Sequence, residues 1–205
     1  MRKIAIILIV FSGFSLLYGQ KAPDYSSGKV HCADTLSLTS AELELARQIN
    51  DYRKSRDLQP IPLSASLSLV ARVHVHDLSD NYQSGRNCNL HSWSSSGYWS
   101  SCCYTSDHRR AACMWDKPRE LTDYTGDGYE IAFYSNFEYS SDAGLVADAL
   151  AGWKSSRGHH ELIVNKGKWA TSEWKAMGVG VYGGFVVVWF GEQIDQAGGP
   201  ITRRF

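Results

Sequence analysis

The sequence predicts an α+β domain in which a sheet lies between layers of helices. Three observations support this class. The first half of the chain repeats apolar residues at helical spacing. The C-terminal part has two apolar segments separated by Gly183-Gly184, the pattern of a tight hairpin. The second segment, Phe185 to Phe190, shows no alternation of apolar and polar residues, so we expect this strand to be covered on both faces.

Two helices are predicted in the first half. Thr39 followed by Glu42 is the pattern of a capping box, in which a hydroxyl and a carboxylate bind the free amides of a helix start. The apolar stripe that follows predicts a first helix to about Arg56, where a Pro-Ile-Pro segment soon ends the pattern. The same period predicts a second helix from Ser64 to Tyr82.

The middle of the chain, residues 83–121, loses this periodicity. It is rich in Ser, Gly, Cys and aromatic residues, and it is too long for an ordinary connector. Loops of this length are usually functional or cross-linked. Beyond it we predict a short strand at residues 129–134 and a third helix at residues 142–155, before the terminal hairpin.

The N-terminus predicts export. Arg2 and Lys3 precede an apolar run from Ile4 to Leu17, and the small residue Gly19 is suitably placed for cleavage. The run is shorter than the roughly 20 apolar residues that a spanning helix needs. No Cys occupies the cleavage point, so we expect release outside the cell, with retention in the periplasm as the alternative. The predicted segments are a signal peptide (1–19), a polar leader (20–38), the domain (39–194) and a C-terminal tail (195–205).

The charge pattern argues against nucleic acid as a partner. The chain has 21 Lys and Arg against 21 Asp and Glu, and signal cleavage removes two basic residues and no acidic one. Arg109-Arg110 and Arg203-Arg204 are isolated pairs and cannot follow a phosphate backbone. We also expect no transmembrane segment after signal cleavage.

Five cysteines in an exported chain are expected to form disulfides. They are Cys32, Cys88, Cys102, Cys103 and Cys113, and four of them lie close enough to staple one stretch with one or two bridges. Cys102 and Cys103 are adjacent, and a bond between neighbours is strained, so each should reach a different partner. The pairing and the odd cysteine stay open. A zinc knuckle is the alternative, but the chain lacks the two C-x-x-C elements that it requires.

Five short motifs occur along the chain in one order. They are INDYR from Ile49, LHSWS from Leu90, GYEIA from Gly128, SRGHHELIVN from Ser156, and the ending MGVGVYGGFVVVWFGE. This order resembles the CAP superfamily in its bacterial form, the SCP/PR-1-like domains of cysteine-rich secretory proteins, antigen 5 and pathogenesis-related 1 proteins. The resemblance covers about residues 40–192, and it implies a three-layer α-β-α sandwich.

The resemblance also implies a cleft in which two histidines and two acidic residues converge. It assigns His91 and His159 to the histidine positions. Glu130 is the nearest candidate for the first acidic position, although it falls one residue late in its motif. Ser156 occupies the second acidic position of many members, and Glu161 is the expected substitute.

Two imidazoles with one or two carboxylates can bind Zn²⁺ or another divalent cation, with an open position for water. His91 and His159 would be the ligands. The same groups can act without a metal as a general base or a pH-sensitive contact. The simpler alternative is that both histidines only form hydrogen bonds to buried loops. His74, on the apolar face of the second helix, is expected to be a core histidine whose hydrogen bonds are satisfied.

Aromatic residues of the long loop are a second candidate contact surface. Trp93 and Trp99 would contact a lipid or a glycan if their rings are exposed. The alternative is that these rings cover the disulfides and fill a small core.

Three functions from different classes follow. The first is an extracellular binding module whose cleft holds a metal ion, lipid, glycan or peptide. The second is a metal-dependent hydrolase or peptidase that activates water in the His91, His159 and Glu cleft. The third is a structural secreted module hardened by disulfides. The fold does not choose among them, because function depends on the site.

Overall fold

The structure is a computed structural model, and it describes residues 36–84 and 87–201. The predicted signal peptide, most of the leader and Cys32 lie outside the described residues. No helix within these two ranges is long and apolar enough to cross a membrane. The helices are α1 (Ser40–Lys54), α2 (Ala65–Asn81), α3 (Ala112–Trp115), α4 (Lys117–Leu121), α5 (Asp142–Ser155) and α6 (Arg157–Ile163), and the strands are β1 (Tyr129–Tyr134), β2 (Ala176–Tyr182) and β3 (Phe185–Gly191).

The three strands form an antiparallel sheet between two helical layers. Their order is β1-β3-β2, so β3 is central, and every residue of β3 is buried. Val187 and Trp189 pack in one hydrophobic cluster with α2, whereas Val188 and Phe190 pack in the other with α1 and α5. The predicted α-β-α sandwich is therefore confirmed, and so is the expectation that this strand is covered on both faces.

The layer formed by α2 lies very close to the sheet, because two facing residues of β2 have no side chain. A Cβ atom at Gly178 would lie 2.0 Å from the α2 backbone, and one at Gly180 would lie 2.6 Å from it. Both distances are far inside van der Waals contact, so any other residue would push the helix away. This close approach brings His74 of α2 to the face of the sheet, with its ring 6.2 Å from that of Trp189.

The predicted capping box and hairpin are both present. The Thr39 hydroxyl accepts a hydrogen bond from the backbone N–H of Glu42, and the Glu42 carboxylate accepts one from the backbone N–H of Thr39. Gly183 and Gly184 have φ angles of 58° and 83°, a conformation that favours glycine and closes a two-residue turn.

The observed helix and strand bounds agree with those predicted from the sequence where the apolar pattern extends over several residues. The strand at 129–134 and the helix at 142–155 have the predicted bounds, and α1 ends two residues before the predicted Arg56. The sequence did not indicate α3, α4 or α6. They have 4, 5 and 7 residues, which is too few to show a helical period.

The described parts of the leader and of the predicted tail pack on the domain. The backbone N–H of Ile201 donates to the carbonyl of Leu36 at 2.8 Å. The Asp195 carboxylate accepts hydrogen bonds from the Ser64 hydroxyl at 2.6 Å and from the Ser66 backbone N–H at 2.9 Å. Asp195 therefore places a negative charge at the amino end of α2, where the helix dipole favours it. Asp195 and Ile201 are therefore bonded to the domain, whereas residues 196–199 between them are exposed.

Candidate functional site

Two disulfides hold the loop that follows α2. Cys88 is bonded to Cys103, and Cys102 to Cys113. The adjacent cysteines thus reach different partners, as the sequence predicted. These bonds use all four cysteines of the loop, so none of the four remains to pair with Cys32.

The same loop is also hydrogen-bonded internally and to α2. Trp93 and Cys102 exchange two backbone hydrogen bonds, of 2.8 and 3.0 Å. The Asp77 carboxylate of α2 accepts hydrogen bonds from the backbone N–H of Ser94 at 2.8 Å and from its hydroxyl at 2.5 Å. These contacts fix the backbone next to His91, so this histidine is held by the loop.

His91, Glu130 and His159 line one cavity of about 210 Å³. They come from the cross-linked loop, from β1 and from α6. Ser156, which stands where the resemblance implies a second acidic residue, lines the same cavity. The structure therefore brings three of the four predicted cleft residues together. The walls include the aromatic side chains of Tyr104, Trp115, Tyr129 and Trp169.

The fourth predicted residue, Glu161, does not line this cavity. Its carboxylate accepts a hydrogen bond from Arg157 Nε at 2.8 Å, and it lies over Gly167. His160, the neighbour of His159 on α6, also points elsewhere, since its Nε2 atom is 3.0 Å from the hydroxyl of Tyr52 on α1.

His74 reaches the same carboxylate from behind the cavity. It is fully buried, and its Nδ1 atom lies 2.9 Å from Glu130 Oε2. Its Nε2 atom lies 3.0 Å from the backbone carbonyl of Ser92, which can only accept a hydrogen bond. Both ring nitrogens therefore lie close to an acceptor oxygen, Nε2 through a hydrogen bond and Nδ1 at ion-pair distance, and this arrangement favours a proton on each nitrogen. This geometry is that of an imidazolium paired with a carboxylate.

The pKa shifts agree with an ion pair. Burial by itself lowers the pKa of His74, but the charge and the hydrogen bond of Glu130, with the Ser92 carbonyl, raise it above its usual value. Burial likewise raises the pKa of Glu130, and the charges and hydrogen bonds of His74 and His91 outweigh it and lower this pKa. Each partner thus keeps the other ionised.

Of the two Glu130 oxygens, Oε1, on the side of the cavity, has the more distant partner. Oε1 lies 3.5 Å from His91 Nδ1, which is long for a hydrogen bond, and among the described residues it has no other donor within reach. The side chain of His159 forms no hydrogen bond or ion pair with any residue in the ranges that the structure covers. Burial, together with the charge of His91, lowers the pKa of His159. The cavity floor therefore combines an open acceptor with two half-buried imidazoles.

A sequence profile of the Cysteine-rich secretory protein family, the CAP domain, matches residues 46–184. The chain belongs to the CAP family. No curated protein matches the chain significantly.

Three solved structures resemble this CAP domain. A cysteine-rich secretory protein from Staphylococcus aureus is 16% identical, with a TM-score of 0.46 over 75% of this chain and 38% of its own. An extracellular protein containing an SCP domain from Bacillus anthracis is 19% identical, with a TM-score of 0.49 over 75% of this chain and 40% of its own. The chain thus spans about two fifths of the length of these two proteins. An outer surface protein of Borrelia burgdorferi is 16% identical, with a TM-score of 0.49 over 76% of this chain and 94% of its own.

The residues present in this CAP domain do not fit a zinc site. Among the described residues, no three His, Cys, Asp or Glu side chains are grouped so that they could hold a metal ion. Glu130 is already paired with the His74 imidazolium, which leaves His91 and His159. Catalytic zinc sites in proteins usually have three protein ligands and a water.

The two tryptophans predicted as ligand contacts have different positions. Trp93 is only 2% exposed, and its ring stacks on that of His74 with a centroid distance of 4.3 Å. It fills the core beneath the loop, which is the alternative that the sequence left open. Trp99 is half-buried, and its indole N–H donates to the Ser94 carbonyl at 3.0 Å.

Sequence reasoning classed His74 as a core histidine and missed its partner. The Ser92 carbonyl and the Glu130 carboxylate lie 3.0 and 2.9 Å from the two ring nitrogens of His74, the second as an ion-pair contact. One signal was available: a titratable side chain within an apolar stripe needs a buried polar partner. The sequence does not say which of the distant carboxylates this partner is.

Proposed function

We propose that this CAP domain is an exported binding module, and that its ligand binds without turnover in the cleft of His91, Glu130 and His159. The observation that carries the proposal is the cavity floor. There, the buried Oε1 atom of Glu130 forms no hydrogen bond with the described residues, and the side chain of His159 lines the same cavity. Buried polar atoms are nearly always satisfied in folded proteins, so such atoms at a cavity surface suit an incoming ligand.

Export is supported by the chemistry of two segments. Residues 1–19 have the pattern of a signal peptide. The two disulfides of the loop form and persist in oxidising compartments, which lie outside the cytoplasm. Release from the cell is the outcome that we propose, since no Cys for lipid attachment stands at the cleavage point.

Binding is favoured over hydrolysis by the state of Glu130. A general base has to accept a proton from water, but this carboxylate is held in an ion pair that lowers its pKa. A purely structural role is less favoured, because a cavity with open polar atoms adds nothing to stability.

The proposal is tested with three probes that represent the candidate ligand classes. They are hexanoate for a lipid, methyl β-D-glucopyranoside for a glycan, and N-acetyl-lysine amide for a peptide. Binding to residues 20–205 is measured by saturation-transfer NMR and by titration of backbone amide shifts. We expect at least one probe to bind the wild type, to lose binding in His159→Ala, and to bind His160→Ala normally.

His160→Ala is the matched control, because it removes the neighbouring imidazole, which contacts Tyr52 outside the cavity. The proposal fails if no probe binds, or if a probe binds both variants equally. A probe that is lost only in Trp99→Ala would place the contact on the loop. Zn²⁺ bound stoichiometrically by the wild type and lost in the His91→Ala/His159→Ala double variant would favour the metal-dependent hydrolase instead.

A further inference from the structure

The walls of the cleft are aromatic. Trp115 and Tyr129 pack edge to face with ring centroids 5.6 Å apart, and Tyr129 and Trp169 do so at 4.8 Å. All three residues are half-buried and line the cavity. Aromatic rings of this kind offer a flat apolar surface at low entropic cost. Such a surface suits a ligand that has an apolar face.

The floor of the cleft is complementary to a ligand group that both donates and accepts hydrogen bonds. Glu130, whose side chain is 0% exposed, presents Oε1 as an acceptor, and the imidazoles of His91 and His159 lie beside it. A hydroxyl can donate to this oxygen and accept from an imidazole N–H. A carboxylate cannot donate and would face the charge of Glu130, and an ammonium cannot accept.

The cleft does not require a charged ligand. The negative charge of Glu130 is matched by the imidazolium of His74 behind it. Lys168 also lines the cavity, but it is exposed to solvent and its ammonium lies 4.8 Å from the ring centre of Trp169. No charge on the floor is therefore left for a ligand to neutralise.

The cavity is also small. Its volume of about 210 Å³ lies below the roughly 300–1,000 Å³ of sites that enclose a drug-sized molecule. A single six-membered ring is the scale of group that it admits.

We infer that the cleft takes one pyranose-sized ring of a neutral saccharide, with the apolar face of the ring on the aromatic wall and a hydroxyl between Glu130 and the two imidazoles. This inference rests on the proposed function and names its ligand class. A saccharide ring combines the flat C–H face and the hydroxyls that these two surfaces require.

The test uses four neutral methyl glycosides, those of glucose, galactose, mannose and N-acetylglucosamine. Glucuronate and tetrahydropyran-2-methanol are the comparison probes, because the first adds a charge and the second lacks the ring hydroxyls. At least one glycoside should bind residues 20–205, and both comparison probes should bind about tenfold more weakly, which corresponds to the loss of roughly one good contact.

Two variants test the wall and the floor separately. Trp169→Ala should weaken glycoside binding about tenfold, and Trp99→Ala, which removes a ring outside the cavity, should leave it unchanged. Glu130→Gln keeps the shape of the floor and changes its charge, so glycoside binding should also fall. Because this change breaks an ion pair, the fold of the variant is first verified by its amide spectrum. If Glu130→Gln does not fold, the effect of Trp169→Ala on glycoside binding decides whether the inference stands.

Failure of this inference can be told from failure of the proposed function. If hexanoate or N-acetyl-lysine amide binds in a manner that depends on His159 and no glycoside binds, the binding module stands and the saccharide inference is wrong. Glycoside binding that Trp169→Ala does not weaken also overturns the inference. If no probe of any class binds, both proposals fail.

Discussion

Asp77 on α2 and Glu130 on β1 are both buried carboxylates, with 4% and 6% of their surface exposed, but their surroundings differ. The oxygens of Asp77 accept hydrogen bonds from the backbone and hydroxyl of Ser94 and from the amide of Asn81, at 2.8, 2.5 and 2.9 Å. Glu130 faces only imidazoles, and its Oε1 atom, 3.5 Å from His91 Nδ1, forms no hydrogen bond with the described residues. Burial alone therefore does not identify a site. The two carboxylates differ in whether donors of the protein itself form hydrogen bonds to both oxygens.

This contrast separates an anchoring carboxylate from a carboxylate at a binding surface. Asp77 ties the disulfide loop to α2, so its removal should loosen the loop and leave the cleft chemistry intact. Glu130 belongs to the cleft and holds His74, so its removal should change both stability and binding.

The largest expected effect is that of Glu130→Leu. The change leaves the His74 imidazole buried without its partner, and breaking one half of a buried pair costs about 3–5 kcal/mol. The free energy of unfolding should fall by this amount, as measured by denaturation with guanidinium at pH 6. Glu138→Gln, a change at an exposed carboxylate, is the control and should have almost no effect.

The double variant His74→Leu/Glu130→Leu tests whether the loss of stability in Glu130→Leu comes from the unpaired His74. Replacing both partners of a buried ion pair by apolar residues is often nearly neutral, so most of the lost stability should return. If the double variant is as unstable as the sum of the two single variants, the pair does not interact as the geometry indicates.

An intermediate effect is expected for Asp77→Ala. The change leaves the Ser94 N–H and hydroxyl without their acceptor, which costs about 1–3 kcal/mol. Asp80→Ala is the matched control on the same helix. Asp80 is exposed near the C-terminal end of α2, where a negative charge is unfavourable, so its removal should leave stability unchanged or slightly higher.

The distinction between Asp77 and Glu130 is wrong if Asp77→Ala abolishes binding of the cleft ligand while the fold is kept. In that case both carboxylates would belong to one functional unit. Denaturation curves and the probe titrations, made on the same samples, give the answer.

The smallest expected effect is a dependence of stability on pH that arises from the His74–Glu130 pair. The pKa of Glu130 is lowered, so its contribution is complete above the usual value of 4.5 and is lost as the pH falls through the folded-state value. The pKa of His74 is raised, so its contribution is complete below 6.5 and is lost as the pH rises through the folded-state value. The pair should therefore stabilise the fold most between pH 4.5 and 6.5.

The measurement is the difference in unfolding free energy between the wild type and the double Leu variant, followed against pH. A difference that does not vary from acid to alkaline pH would show that the two side chains do not form an ion pair.

Much of the cleft could be predicted from the sequence. The order of the motifs assigned His91, Glu130 and His159 to one site, and the structure places all three on one cavity. Glu161 was assigned by the same reasoning, but α6 directs its carboxylate to Arg157 one helical turn earlier. The helix α6 was not predicted, so the face on which each of its residues lies could not be derived.

The sequence is sufficient to predict the layered fold, the capping box of α1, the terminal hairpin and the different partners of Cys102 and Cys103. These features depend on residues that are near each other in the chain, where helical period, turn residues and bond strain act directly. The disulfide pairing, the burial of Trp93 and the pairing of His74 with Glu130 are visible only in the folded chain. The last contact joins residues of α2 and β1, and it depends on how closely α2 approaches the sheet over Gly178 and Gly180, a distance that no local pattern encodes.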